Sequence, residues 1–302
     1  MKQKEAHIFP AFVIKYTSKE IKVLENNSIE LYPYLNKASE ILDVDLTKFD
    51  IANNDYLSDE LKNQYFTYIF SCIFSDILNS KNIKPDYVAG FSMGLYAAMY
   101  HAGVINFENG LLLIKKVYQQ VKEILSGSEY AMATVIGFEQ EDLIQTLKKW
   151  TSIELVIKNG AYSFIITGEK TEITESIKFL ISEGAIHTSI LNVSNSYHTK
   201  LLKNHKQKFI SLVDDFDISD SEIPIVSFVD SKIIKHSDEI KQEVIRNIIS
   251  KLDFYKTVIY LSDNNVKSIL ECGPGDSLYV SSKFIKGDFD FRSIAKARLK
   301  SQ

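Results

Sequence analysis

The chain has 302 residues, 35 basic and 39 acidic side chains, and a formal net charge of −4. Hydrophobic residues make up 45% and charged ones 25%, a globular composition that excludes a disordered chain. The length suffices for one large domain or two unequal ones, and the acidic excess argues against a nucleic-acid binder, whose footprint is basic. The start, MKQKEAHIFP, holds an apolar stretch too brief for a signal peptide. A first strand is predicted over residues 6–9, stopped by Pro10, and a helix over 29–42. A second helix covers 58–79. Its segment 65–78 is the most apolar run, but Ser71, Ser75 and Asp76 leave it short of the ~18 apolar residues a membrane span requires, so it reads as a buried helix. A compact strand, 87–89, then enters Gly90-Phe91-Ser92-Met93-Gly94 and a run of helix formers, 95–101. Strand, Gly-rich turn and helix in succession indicate an α/β arrangement. Another helix, 107–125, is broken by SGSE at 126–129.

The middle of the chain changes rhythm. Strands over 131–136, 153–157, 164–167 and 187–193 alternate with helices over 140–150 and 172–183. The order β-α-β-β-α-β is a complete ferredoxin-like unit. Residues 127–196 are therefore predicted to be a subdomain inserted into a larger α/β domain made of 1–126 and 197–302. The larger domain resumes with a strand over 223–228, helices over 240–252 and 254–263, and a strand over 268–272 that ends in Gly273-Pro274-Gly275. The lysine-rich end, 296–302, is predicted to fray. Two cysteines, Cys72 and Cys272, make neither a disulfide framework nor a metal site, which fits a reducing, cytoplasmic setting. No ligand cluster or phosphate loop calls for a metal or nucleotide cofactor.

The strongest chemical signal is the G-x-S-x-G between strand and helix. Glycines on either side permit a sharp turn that projects the Ser92 hydroxyl from a helix N-terminus, where N–H groups favour negative charge. The Met93 N–H is the first candidate oxyanion donor. The same residues also suit an ordinary strand-to-helix turn with an N-capping serine. A serine nucleophile needs a base. Of the six histidines, His198 lies in a small polar loop, Ser194-Asn195-Ser196-Tyr197-His198-Thr199, where the chain re-enters the main domain. His101 ends the helix after the elbow and is expected to face the helix dipole. The other four lie in strands or polar segments without a partner signal.

The segment GFSMGLYAAMYHAGVINFENGLLLIKKVY resembles the active-site region of malonyl-CoA:acyl-carrier-protein transacylases, which share their fold with polyketide-synthase acyltransferase domains. Four further landmarks follow in the family's order. Ile8-Phe9-Pro10 resembles the start of FPGQGSQ, and NGAYSFIITG at 159–168 resembles N-x-P-x-Q-x-V-I-x-G. NSYH at 195–198 resembles the block ending in the catalytic histidine, and ECGPGDSL at 271–278 resembles E-x-G-P-G-x-x-L. The resemblance implies an α/β-hydrolase-like large domain with a parallel-sheet core and an inserted ferredoxin-like subdomain. It implies that Ser92 forms an acyl ester, that His198 is base and then acid, and that acyl-CoA and an acyl carrier protein are the partners, with no nucleic acid and no membrane. Asn247 matches the position whose main-chain carbonyl orients the histidine, and it equally suits a plain helix face.

The departures bear on the substrate. Malonyl-specific members carry an arginine that pairs with the free carboxylate, and the gap-free match is Val117. Burying an unpaired carboxylate there would cost several kcal/mol. Lys115 and Lys116 point to other helix faces than residue 117. Phe91 replaces the usual histidine before the nucleophile, and Phe12 stands where the second oxyanion donor is expected, its N–H still able to serve. Ser163 replaces the glutamine, Tyr197 precedes His198, and Asn159 opens the N-x-P-x-Q match. Phe91, Phe12, Val117 and Tyr197 together suggest an acyl pocket more apolar than malonyl requires. Three activities remain open: transfer of non-carboxylated acyl groups in polyketide or fatty-acid-type biosynthesis, hydrolysis of acyl groups from carrier proteins, and an inactive carrier-docking role. Lys200, Lys203, Lys206 and Lys208 read as either a carrier-docking patch or a solvated helix face.

Overall fold

The computed structural model describes residues 3–13, 15–51 and 55–296. In chain order the elements begin with β1 (Lys4–Phe9), α1 (Ser18–Asn26), α2 (Tyr32–Leu42), α3 (Glu60–Ser80), β2 (Tyr87–Gly90), α4 (Gly94–His101) and α5 (Phe107–Ile124). Next come β3 (Tyr130–Ile136), α6 (Gln140–Leu147), β4 (Glu154–Gly160), β5 (Ser163–Glu169), α7 (Lys170–Ser182) and β6 (His187–Ile190). The chain closes with α8 (Lys200–Lys203), α9 (Lys206–Asp214), β7 (Ile225–Val226), β8 (Ile233–Ile234), α10 (Ser237–Ile249), β9 (Leu252–Asp253), α11 (Phe254–Asp263), β10 (Val266–Glu271), α12 (Ser277–Ser282) and β11 (Asp290–Ser293).

The first sheet has the order β11-β10-β1-β2-β7-β8. Its pairs are parallel except β7 with β8. β1 sits at its centre, so Ala6, Ile8 and Phe9 are wholly buried, as a strand covered on both faces requires. On one face α4 packs against β1 and β2, and α3 packs against α4 and α5 with Phe70, Phe74 and Leu78 fully buried. The most apolar run of the sequence is thus a core helix. Among the described residues no helix is long and apolar enough to cross a membrane. Cys72 and Cys272 are free and buried.

The second sheet has the order β6-β3-β5-β4-β9. Its first four strands are antiparallel in the ferredoxin-like order, with α7 packed against β3, β5 and β6. β9 then pairs parallel to β4, through Ile157 with Leu252 and Lys158 with Asp253. A strand from the C-terminal stretch thus extends this sheet. That pairing ends the helix predicted over 240–252 at Ile249, because Ser250 turns extended to enter β9. The strand predicted over 223–228 shrinks to β7, which meets β2 only at Val88 and turns back through Ser231 into β8. Beyond Lys296, the predicted frayed end lies outside the described residues. Lys296 itself forms an ion pair with Asp276.

Candidate active site

The turn after β2 is built by close approach. A Cβ on Gly90 would lie 2.2 Å from the Leu95 Cα, and one on Gly94 2.2 Å from the Phe9 carbonyl oxygen, so β1, the turn and α4 pack too closely for any side chain there. Phe91 N–H donates to the Phe9 carbonyl at 2.9 Å, docking the turn on β1, and Gly94 N–H closes it on the Phe91 carbonyl at 3.0 Å. Ser92 is left with φ 53°, in the left-handed region that residues with a Cβ avoid. The serine does not cap α4, whose N-cap is Met93 with no side-chain bond. Its hydroxyl instead lies 3.0 Å from Nε2 of His198. Among the described residues the N–H groups of Met93 and Phe12 enter none of the main-chain hydrogen bonds that close this region, and both residues line the cleft above Ser92. Asn63 fixes the Phe12 loop by donating Nδ2 to the Val13 carbonyl at 3.0 Å.

His198 also has a left-handed backbone, φ 65°, and is 3% exposed. Its N–H donates to the Ile248 carbonyl at 3.0 Å. Nδ1 makes no hydrogen bond of good geometry. Burial pulls the ring's pKa down to about 4, against the nearby main-chain carbonyls of Asn247 and Ser250, which favour the charged form. The ring is therefore neutral at pH 7. A neutral imidazole whose Nε2 faces a serine hydroxyl can accept its proton when the other proton sits on Nδ1, toward those carbonyls. Asn247 is 4% exposed, and its Nδ2 donates to the Ser92 carbonyl at 2.9 Å. The end of α10 thus holds both partners: the serine through the Asn247 side chain, the histidine through the Ile248 carbonyl.

Ser92 and His198 open on a cleft of ≈1060 Å³. It is lined by Met132, Ile165 and Asn159 of the second sheet, by Phe91, and by the turn at Pro274-Gly275 with residues of α12. Val117 lines it too, buried beside Ile114 and Tyr96, and Tyr197 joins it from the histidine loop. Phe91 packs edge-on against Phe228 and Phe254. Lys115 reaches the Leu42 carbonyl at 2.8 Å and Lys116 pairs with Asp215 at 3.5 Å, so neither stands in at the cleft for a missing arginine. Lys200, Lys203, Lys206 and Lys208 are exposed, and none of them lines the cleft.

Two histidine expectations are overturned. His101 does not face the dipole as a charge. It is buried, with Nε2 3.0 Å from Nδ1 of His7 and Nδ1 2.7 Å from the Ser75 hydroxyl, and burial with His7 alongside pulls its pKa down to about 3. His7, read as partnerless, is that partner. Glu60 and Gln64 of α3 were not singled out from the sequence, although both reach the histidine loop. An acidic residue opening a helix reads as an ordinary dipole partner, and nothing local marks its burial.

An α/β core with a serine at a nucleophile elbow and a histidine across an apolar cleft defines an acyl-transferring class of α/β enzyme. No family model matches the chain. It is 28% identical over 229 residues to a malonyl CoA-acyl carrier protein transacylase of Synechocystis, covering 76% of each chain. It is 25% identical over 277 residues to the Staphylococcus aureus protein of that name, covering 90% of this chain and 89% of the other. The crystal structure of the Synechocystis malonyl-CoA:ACP transacylase superposes with TM-score 0.82 at 25% identity over 97% of both chains. A malonyl-transacylase in complex with a type II polyketide acyl-carrier protein superposes with TM-score 0.85 at 22% identity, covering 96% of this chain and 94% of the other. Over most of its length the chain is thus similar to malonyl-CoA:acyl-carrier-protein transacylases.

Proposed function

We propose that the chain moves acyl groups between thioesters of coenzyme A or an acyl carrier protein through an ester on Ser92, and that these acyl groups lack a free carboxylate. The 3.0 Å contact between Ser92 Oγ and His198 Nε2 carries the reading. Ser92 attacks the thioester carbonyl while Nε2 takes its proton; the C–S bond breaks and the departing thiolate takes that proton. A second thiol reverses the sequence. The N–H groups of Met93 and Phe12 are the donors for the oxyanion. The relative solved with its carrier protein supports a carrier as partner.

Val117 supports the finer claim. Where the resemblance places the arginine, the lining is neutral, formed by Val117, Ile114 and Tyr96, while the lysines that line the cleft, Lys15 and Lys286, lie at other positions of the chain. The test exposes the protein to a mixture of malonyl, acetyl and longer acyl thioesters and weighs the Ser92 adduct. Acetyl or longer adducts are expected, and a dominant malonyl adduct overturns the substrate class. Val117→Arg is expected to improve malonyl loading relative to acetyl by about tenfold, the effect of one charge-assisted pair. Rapid release of free acid, with no transfer to a second carrier, assigns the site to hydrolysis instead.

A further inference from the structure

Glu60 opens α3 and is 7% exposed, so its carboxylate must be matched by donors. Oε2 accepts the Ser194 N–H and hydroxyl, both at 2.8 Å, and Asn195 Nδ2 at 3.1 Å. Oε1 accepts the Tyr197 hydroxyl at 2.7 Å, Asn195 Nδ2 at 3.2 Å and Gln64 Nε2 at 3.3 Å. All these donors except Gln64 lie on residues 194–197, the four that lead into His198. No cation is among its hydrogen-bond partners within the described residues.

His198 depends on that loop. Among the described residues its ring has no carboxylate to orient it and its Nδ1 makes no well-formed bond, and its backbone is strained at φ 65°. A strained residue persists only where its surroundings over-determine it. The Ile248 carbonyl holds one side; the other is the loop that Glu60 gathers. We propose that Glu60 is a positioning residue that sets the reach of His198 to Ser92 by locking residues 194–197. The proposal rests on the reading of Ser92 and His198 given above. Among the described residues the titratable groups about the loop are Glu60, Tyr197 and Tyr118, with the Asp59 carboxylate near Tyr118. None acts as a charge on His198, which burial and two carbonyls govern. A loosened loop therefore acts by misplacing the ring and admitting water to it.

Phosphonylation of Ser92 by a fluorophosphonate probe tests this without an acyl substrate. The Oγ–P bond forms, fluoride leaves, and the hydroxyl proton passes to His198. The rate constant is measured on the full chain from acidic to neutral pH. Glu60→Gln sets an amide donor among the converging donors and is expected to slow labelling about tenfold or more, as a misplaced base does. Its acidic limb is expected to move up from the wild-type position toward the ordinary imidazole value of about 6.5. Ser194→Ala removes one donor from an exposed side chain and is expected to give a smaller loss in the same direction, which keeps the test readable if Glu60→Gln does not fold. Wild-type rate and limb in Ser194→Ala overturn the proposal. So does a Glu60→Gln protein whose labelled fraction falls while the rate and limb of that fraction stay unchanged, since that is a purely structural role. Wild-type protein left unlabelled at Ser92 is a different failure: it removes the acyl-serine reading itself, and the proposal with it.

Discussion

A histidine in water is half-charged near pH 6.5 and useless as a base when charged. His198 escapes this by burial, which pulls its pKa down to about 4 and leaves the ring neutral across the physiological range. Acylation of Ser92, followed as the burst of released thiol, is therefore expected to hold its rate down to about pH 5 and to fall only below it. An acidic limb near the ordinary value would show that the ring is solvated in solution. The serine and histidine were legible in the sequence because each leaves a local mark: two glycines around a serine, and a polar loop after a strand. Glu60 and the His7–His101 pair were not, because their burial is decided by residues far away in the chain.

The elbow is an element-level device, since three pieces of backbone must converge for it to form. Gly94→Ala would drive a methyl into the Phe9 carbonyl, an atom fixed by the sheet. Overpacking of this kind costs ~1–3 kcal/mol, and more where a backbone cannot yield. Thermal melts are expected to show a clear loss for Gly94→Ala, together with lost labelling at Ser92. At Gly160 the nearest atom to an added Cβ is 3.5 Å away, so Gly160→Ala is expected to melt close to wild type and serves as the control. The longer core helices and strands followed from apolar runs and helix formers bounded by turn residues, and the ferredoxin-like order from the alternation of elements, whereas α8, α9 and α12 were not predicted. α1 was missed because SKEIKVLEN is mostly polar, and its start is set by the reciprocal bonds of Thr17 and Glu20. β9 and β11 escaped because such short strands exist only through their partners, Ile157 and Lys158 for β9 and residues 268–271 for β11.

Across the molecule, four buried ionisable groups set opposing slopes of stability with pH. Burial lowers His198 to about 4 and His101 to about 3, from 6.5. Burial also raises Glu243 and Glu271 to about 7, from 4.5. Each histidine binds a proton in the unfolded chain that the fold refuses, so stability is lost as pH falls below 6.5, until the folded pKa is reached. Each glutamate keeps a proton in the fold that the unfolded chain releases, so stability is lost as pH rises from 4.5 to about 7. Between 4.5 and 6.5 two protons gained by the unfolded chain oppose two it loses, and the slopes cancel. Below that window only the histidines still act, joined by carboxylates held below their usual range, such as Asp230, with Arg246 beside it. Above it only the glutamates act. Melting temperature is therefore expected to be flat through the window and to decline on both sides. Glu271→Gln keeps an acceptor for the N–H groups of Leu278 and Tyr279 that Glu271 now holds at 3.1 and 2.9 Å. Removing its ionisation should halve the alkaline decline and tilt the window so that stability rises with pH. A Glu271→Gln protein with the wild-type profile would show that this carboxyl is ionised in the fold, and that the cap of α12 is a charge.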